Sequence, residues 1–283
     1  IRDFSYLFAY YKWFNSDISN WDVSSGTDFS SMFRSAWYFN QDISDWDVSS
    51  GTDFSYMFQS ATRFNQDIGR WDVRSGNNFK GMFMTATLFN QEIGEWDVGS
   101  GTDFSYMFTG AHGFNQDIGS WNVSNGTNFF AMFFRTQFNK DIGSWDVSNG
   151  TNFSQMFWAV GTFNQDLSNW DVSNGIDFGA MFYEVRSFNQ DLSKWDVSNG
   201  TNFKRMFSGT NNFDPNLIKN WDVSNGTDFS EMFAGNPTSP DLRSWDVSNG
   251  IDFSEMFSGC YDFTQDLGSW NVSNGTNFDK MFH

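Results

Sequence analysis

The chain has little of what marks a catalytic or disulfide-stapled domain. Its 283 residues include one Cys, two His and three Pro. A single Cys, Cys260, excludes a disulfide framework. His112 and His283 have no recurrent acid–base partner, so paired nucleophile–base catalysis has no candidates and no enzyme is expected. Bases are scarce as well: 16 Lys and Arg stand against 34 Asp and Glu, a formal charge of −18. That balance argues against nucleic acid, whose phosphates call for clustered Lys and Arg. No run of 18 apolar residues occurs, so membrane insertion within this segment is excluded. Aromatics, by contrast, make up 20% of the chain, with 36 Phe and 14 Trp, which excludes a disordered tract.

Those rings are periodic. Trp followed by Asp or Asn and then Val begins at Trp21, Trp46, Trp71, Trp96, Trp121, Trp145, Trp170, Trp195, Trp221, Trp245 and Trp270, at spacings of 24 to 26 residues. A fixed period in this range is the signature of a stacked array. Residues 1–283 are therefore read as a single continuous repeat array. Both termini fall in the same phase of the repeat, so the chain is expected to be a piece of a longer array or a subunit that associates with itself end to end.

Residues 52–76 show one unit in full. Phe54, Met57, Phe58 and Ala61 fall at i, i+3, i+4 and i+7, the pattern of a short helix, with Thr52 or Asp53 as its N-cap. Trp71 and Val73 alternate with Asp72 as in a half-buried strand, and Gly76 closes the unit at a turn. The expected fold is an α/β solenoid, a leucine-rich-repeat-like stack of coils of about 25 residues. Each coil has one short parallel strand and one short helix or 3₁₀ turn, and helices wider than strands would curve the stack with its strands inside. Trp46, Trp71, Trp145, Trp170, Phe54, Phe58, Phe153 and Phe157 represent its core columns.

The strings Phe-Asn-Gln-Asp-Ile, Trp-Asp-Val-Ser-Asn and Met-Phe, in this order and period, resemble the BspA-like leucine-rich-repeat surface proteins, a repeat also found in mycoplasma-type lipoproteins. The resemblance covers all eleven units. It implies an extracellular or cell-surface array used in adhesion or as a scaffold, and it supplies no catalytic residues. One departure stands out. Where that family continues Val-Thr-Asn-Met, this chain reads Gly-Thr-Asn-Phe, as at Gly150, Thr151, Asn152 and Phe153. The larger ring is expected to fill the space above the glycine.

Most acids lie in three columns: after Trp (Asp22, Asp47, Asp72), before Ile or Leu (Asp17, Asp42, Asp67) and before the first Phe (Asp3, Asp28, Asp53). A ladder of Ca²⁺ sites would relieve their mutual repulsion. Capping of backbone N–H groups is the alternative, and it is favoured because Asn replaces Asp at Asn122, Asn271, Asn78 and Asn152. A cap keeps its acceptor after that exchange, whereas a cation site loses charge. No resident metal or cofactor is expected.

The sequon asparagines Asn125, Asn149, Asn199, Asn225 and Asn274 fall in the predicted turn and are candidate N-glycan acceptors. The segment after the predicted helix varies most between units. Its large residues Trp37, Tyr38, Phe134, Trp158, Tyr183 and Tyr261 are candidates for a partner surface facing protein, matrix or glycan. The functional expectation is a stiff acidic solenoid making multivalent contacts, with filament formation as one mode of assembly. The alternative is a carbohydrate-binding module using the concave strand face. The variable position before Trp (Asn20, Asp45, Arg70, Glu95, Ser120, Lys194) lacks an aromatic platform, which counts against that alternative.

Overall fold

A computed structural model describes residues 1–238 and 240–283. The chain divides into two compact units, Ile1–Val147 and Ser148–His283. Each is a stack of coils, one coil per repeat.

The segment expected to be helical is not a helix. From Phe54 to Ala61 the backbone N–H groups alternate between two acceptors. Those of Phe54, Tyr56, Phe58 and Ser60 donate to the carbonyls of Asn78, Lys80, Met82 and Met84 in the next coil, at 3.0, 2.7, 2.9 and 2.7 Å. Those of Met57, Gln59 and Ala61 donate three residues back, to Phe54, Tyr56 and Phe58. The second unit repeats this: Phe178, Ala180, Phe182 and Glu184 donate to Asn202, Lys204, Met206 and Ser208. An α-helix satisfies its N–H groups within itself. Here half of them are turned outward to the neighbouring coil, so the apolar spacing of a helix is met by a run of linked turns.

That alternation has a backbone cost. Two residues in each run take a left-handed conformation, Tyr56 and Ser60 at φ 56° and 57°, Gln155 and Ala159 at 58° and 55°. Non-glycine residues avoid this region by roughly 1–2 kcal/mol each. Glycine takes one of these places at Gly110 and Gly259, with φ of 66° and 74°.

The strand expectation is also corrected. Trp71 and Val73 are buried but form no ladder. Parallel bridging occurs instead at the residue before the first Phe, from Asp3 through Asp28, Asp53, Asn78 and Asp103 to Asn128, and from Asn152 through Asp177, Asn202, Asp228 and Asp252 to Asn277. At Trp the side chain does the cross-linking. The indole N–H of Trp71 donates to the Ile43 carbonyl of the preceding coil at 3.0 Å, and Trp96 and Trp121 donate likewise to Ile68 and Ile93. Among the described residues the one helix is a 3₁₀ turn, Pro215–Ile218, capped by Asp214. It falls within the 26-residue spacing from Trp195 to Trp221, where Pro215 presets φ.

Between these hydrogen-bonded layers the rings stack in columns. Phe29, Phe54, Phe79 and Phe104 lie 5.6–5.8 Å apart, centroid to centroid, within 7° of parallel. Phe58 also packs on Phe64 of its own coil at 4.0 Å. In the second unit Trp170 stacks on Trp195 at 6.4 Å and Trp195 on Trp221 at 6.3 Å. Spacings beyond the roughly 4.8 Å between paired backbones mark these as offset stacks, the favoured arrangement for aromatic quadrupoles. All eight core residues named from the sequence are buried, none more than 4% exposed.

The glycine–phenylalanine exchange is visible in the packing. A Cβ on Gly51 would lie 2.5 Å from Phe54 Cζ, and one on Gly175 would lie 2.3 Å from Phe178 Cζ. The ring occupies the place of the missing side chain. Gly51→Ala is therefore expected to cost about 1–3 kcal/mol by overpacking, and Phe54→Leu in the same chain to recover part of that loss in urea denaturation. Gln155→Gly should raise stability by about 1 kcal/mol through relief of its left-handed backbone, net of glycine's greater unfolded freedom.

Candidate functional site

The polar columns are built first for coil-to-coil bonding. The backbone N–H of Asn40 donates to Asn15 Oδ1, that of Asn65 to Asn40 and that of Asn90 to Asn65, each at 2.9 Å. Gln66 and Gln91 reach back with Nε2 to the Asn40 and Asn65 carbonyls. Nothing in the sequence analysis assigns this Phe-Asn-Gln segment a bonding role. The available signal was the persistence of Asn at this position in eight successive units, Asn15 to Asn189.

The acid columns accept hydrogen bonds from the backbone two residues on. Asp28 accepts from Ser30 N–H at 2.9 Å, Asp42 from Ser44 at 2.9 Å and Asp47 from Ser49 at 3.0 Å. Asparagine does the same: Asn122 accepts from Ser124 at 3.1 Å and Asn152 from Ser154 at 3.0 Å. Hydroxyl and backbone N–H groups of Ser44, Ser49, Ser173 and Ser248 hold Asp42, Asp47, Asp171 and Asp246 below the ordinary carboxylate range. Asp241 is held at about 2, chiefly by its hydrogen bond from the Arg243 guanidinium. Among the described residues no three His, Cys, Asp or Glu side chains converge as metal ligands.

The sequon asparagines are exposed, but their amide nitrogens are engaged. Asn125 Nδ2 donates to the Gly99 carbonyl at 2.7 Å. Asn199, Asn225 and Asn274 donate to Ser173, Ser198 and Ser248, each at 2.8 Å. Asn149 is exposed on the same column. Attachment of a glycan at these nitrogens would break a coil-to-coil bond.

The six residues assigned to a partner surface differ in exposure. Trp37 is 44% exposed and Tyr261 94% exposed; Tyr38, Phe134, Trp158 and Tyr183 are half-buried. Tyr38 stacks with Trp13 at 4.2 Å, beneath the Arg63 guanidinium at 4.1 Å. Phe134 lies 5.2 Å from the Arg135 guanidinium. Trp158 meets Tyr183 at 4.5 Å. Cys260 is buried, with its thiol pushed up to about 11 by burial and its Sγ 3.2 Å from the Phe233 carbonyl. At that pKa it stays a protonated, unreactive thiol near neutrality. His112 Nδ1 meets the Arg135 carbonyl at 2.8 Å.

An open groove of roughly 860 Å³ crosses the first unit on the side that carries the variable residues before Trp. Its floor includes Gly69 and Gly94, where a Cβ would strike the Glu92 and Asp117 carbonyl oxygens at 2.4 and 2.6 Å. Arg70, Gln91, Glu95 and Gln116 are among its walls, and no aromatic residue is among those lining it. This is the face the carbohydrate alternative invoked. It has no strand among its described residues.

The profile of the family described as "Mycoplasma protein of unknown function, DUF285" matches residues 1–87, 75–158, 132–217 and 180–283, overlapping segments that together take in the whole chain. The chain belongs to the DUF285 family. Its repetition is that of a tandem-repeat protein, and the BspA-like designation is finer than the DUF285 match. No curated protein matches the chain. A crystal structure of a TLR13–ssRNA13 complex is similar at 10% identity and a TM-score of 0.35, over 90% of this chain and 42% of the other. The DUF285 chain thus spans less than half the length of that neighbour. Among the described residues no helix is long and apolar enough to cross a membrane.

The aspartate bonds set an acid limit. A carboxylate whose folded pKa is depressed contributes stability above its unfolded value and loses it as the pH falls through the folded value. Repulsion from Asp17 raises Asp42, but it is the weakest influence there and the serine bonds outweigh it. Thermal stability is expected to hold from neutrality down to about pH 4 and to fall from there toward the value of about 2 at Asp241. Melting curves taken across that range, with Ser49→Ala as comparison, check the sign.

Proposed function

We propose that this DUF285 chain is a structural and adhesive repeat protein of the cell surface or extracellular space, one that presents the same backbone frame many times for multivalent contact with protein or matrix. One observation carries this reading: side chains between the Met-Phe pair and the Phe-Asn pair change from coil to coil over a frame that does not. Trp37, Thr62, Thr87 and His112 occupy one such position in successive repeats. A fixed scaffold with variable outward positions suits recognition, and weak contacts on one frame add as avidity. The BspA-like resemblance supports the extracellular setting.

The test is adhesion as a function of valence. Beads carrying this chain at rising density are expected to adhere to epithelial monolayers more steeply than in proportion to density, and soluble chain to compete. Adhesion no better than for albumin-coated beads at every density would remove the reading. The carbohydrate alternative has weaker support, since the groove around Gly94 lacks a ring to stack on a sugar; a glycan array with saturable binding to one neutral sugar class would revive it.

A further inference from the structure

The charges of the first unit are sorted by face. No Asp or Glu occurs in residues 29–41, 54–66, 79–91, 104–116 or 129–140, the segments from the first Phe to the Gln or Lys of each coil. Arg34, Arg63, Lys80 and Arg135 all lie in these segments, in a chain of formal charge −18. The corresponding segments of the second unit are mixed, with Glu184, Glu231 and Glu255 among them.

Rings and cations meet on this acid-free face. Lys12 Nζ lies 4.3 Å from the Trp37 ring centroid, the Arg63 guanidinium 4.1 Å from that of Tyr38, and Arg34 5.6 Å from that of Tyr56. Trp37 is 44% exposed, and Leu88, one coil on from Arg63 at the same repeat position, is 57% exposed. Among the described residues none of Lys12, Arg34 and Arg63 pairs with a carboxylate; the ion pairs there are Arg74–Asp72, Arg205–Glu231, Arg243–Asp241 and Lys280–Asp279. The face therefore holds cations balanced only by rings, on a chain with acid to spare elsewhere.

We propose that this face of the first unit binds an acidic polysaccharide bearing uronic-acid carboxylates. The apolar face of a sugar ring covers Trp37, while the guanidinium of Arg63, held over Tyr38, and the ammonium of Lys12 receive carboxylates. Lys12 and Arg63 stand at neighbouring repeat positions two coils apart, about 10 Å at the spacing of paired backbones, so a chain polymer lying along the stack meets them in turn. Two other polyanions fit less well. A nucleic acid strand carries a phosphate about every 3.4 Å, a density the surrounding acids oppose. An extended acidic peptide gains affinity by pairing with an unpaired backbone edge, and the N–H groups of these turns are already given to the next coil.

This inference rests on the multivalent-contact reading and names the partner's chemistry. The experiment is biolayer interferometry on the full chain with hyaluronan fragments, and with dextran, a single-stranded oligonucleotide and polyglutamate as comparisons. Hyaluronan should bind at least tenfold tighter than dextran and weaken as NaCl is raised from 50 to 300 mM. Trp37→Ala and Arg63→Gln should each lose tenfold or more with melting temperature unchanged, while Lys194→Gln in the second unit binds as the parent does. Arg63→Gln, a surface change, keeps the test sound should Trp37→Ala fail to fold. Undiminished binding by Arg63→Gln, or tighter binding to the oligonucleotide or polyglutamate, overturns the proposal. Valence-dependent adhesion without hyaluronan binding would leave the scaffold reading standing and remove this one; hyaluronan binding without adhesion would do the reverse.

Discussion

The structure depends on one arrangement of backbone donors. In the Phe-x-x-Met-Phe run every second N–H leaves its own coil and finds its acceptor in the next. A buried N–H without a partner costs as much as a lost hydrogen bond, about 1–3 kcal/mol, and a lone coil would have several. A coil is therefore stable only as part of a stack, and stability is a sum of nearest-neighbour terms. The left-handed residues follow from the same geometry. Tyr56 and Ser60 turn the peptide so that its N–H faces the adjacent coil, and their strain persists because the stack over-determines it.

Side chains complete what the backbone begins. Indole N–H groups reach the Ile or Leu carbonyl one coil back, and asparagine amides do the same on the Asn-Gly column. These polar ladders flank dry columns of offset rings. Aromatics thus serve twice, as the bulk of the core and, at Trp, as hydrogen-bond donors between coils. The frame is held from the inside and by its own edges, which leaves the outward positions free to vary without loss of register.

The proposed function draws on that freedom. Acids occupy the corners and bridge positions because each accepts an N–H two residues on, so the net charge of the chain is largely a by-product of capping. The first unit departs from it on one face, where rings and unpaired cations collect and acids are absent. Charge sorted by face within a single frame is a feature that capping does not require.

The repeat, its register and its core were legible in the amino-acid sequence, because a 25-residue period in Trp and Phe leaves those rings only one way to be buried together. Capping was legible too, since Asn and Asp exchange freely there. Helix and strand were not. Spacing of i, i+3, i+4 and i+7 reports which side chains share a face, and the turn run of Phe54 to Ala61 satisfies that spacing while sending its N–H groups elsewhere. Alternation at Trp71 and Val73 reports burial, and it is silent on whether a backbone or an indole supplies the bond. Which group donates to which acceptor is settled only when a second coil is in place, since the partner lies 22 to 29 residues away and no local pattern encodes it.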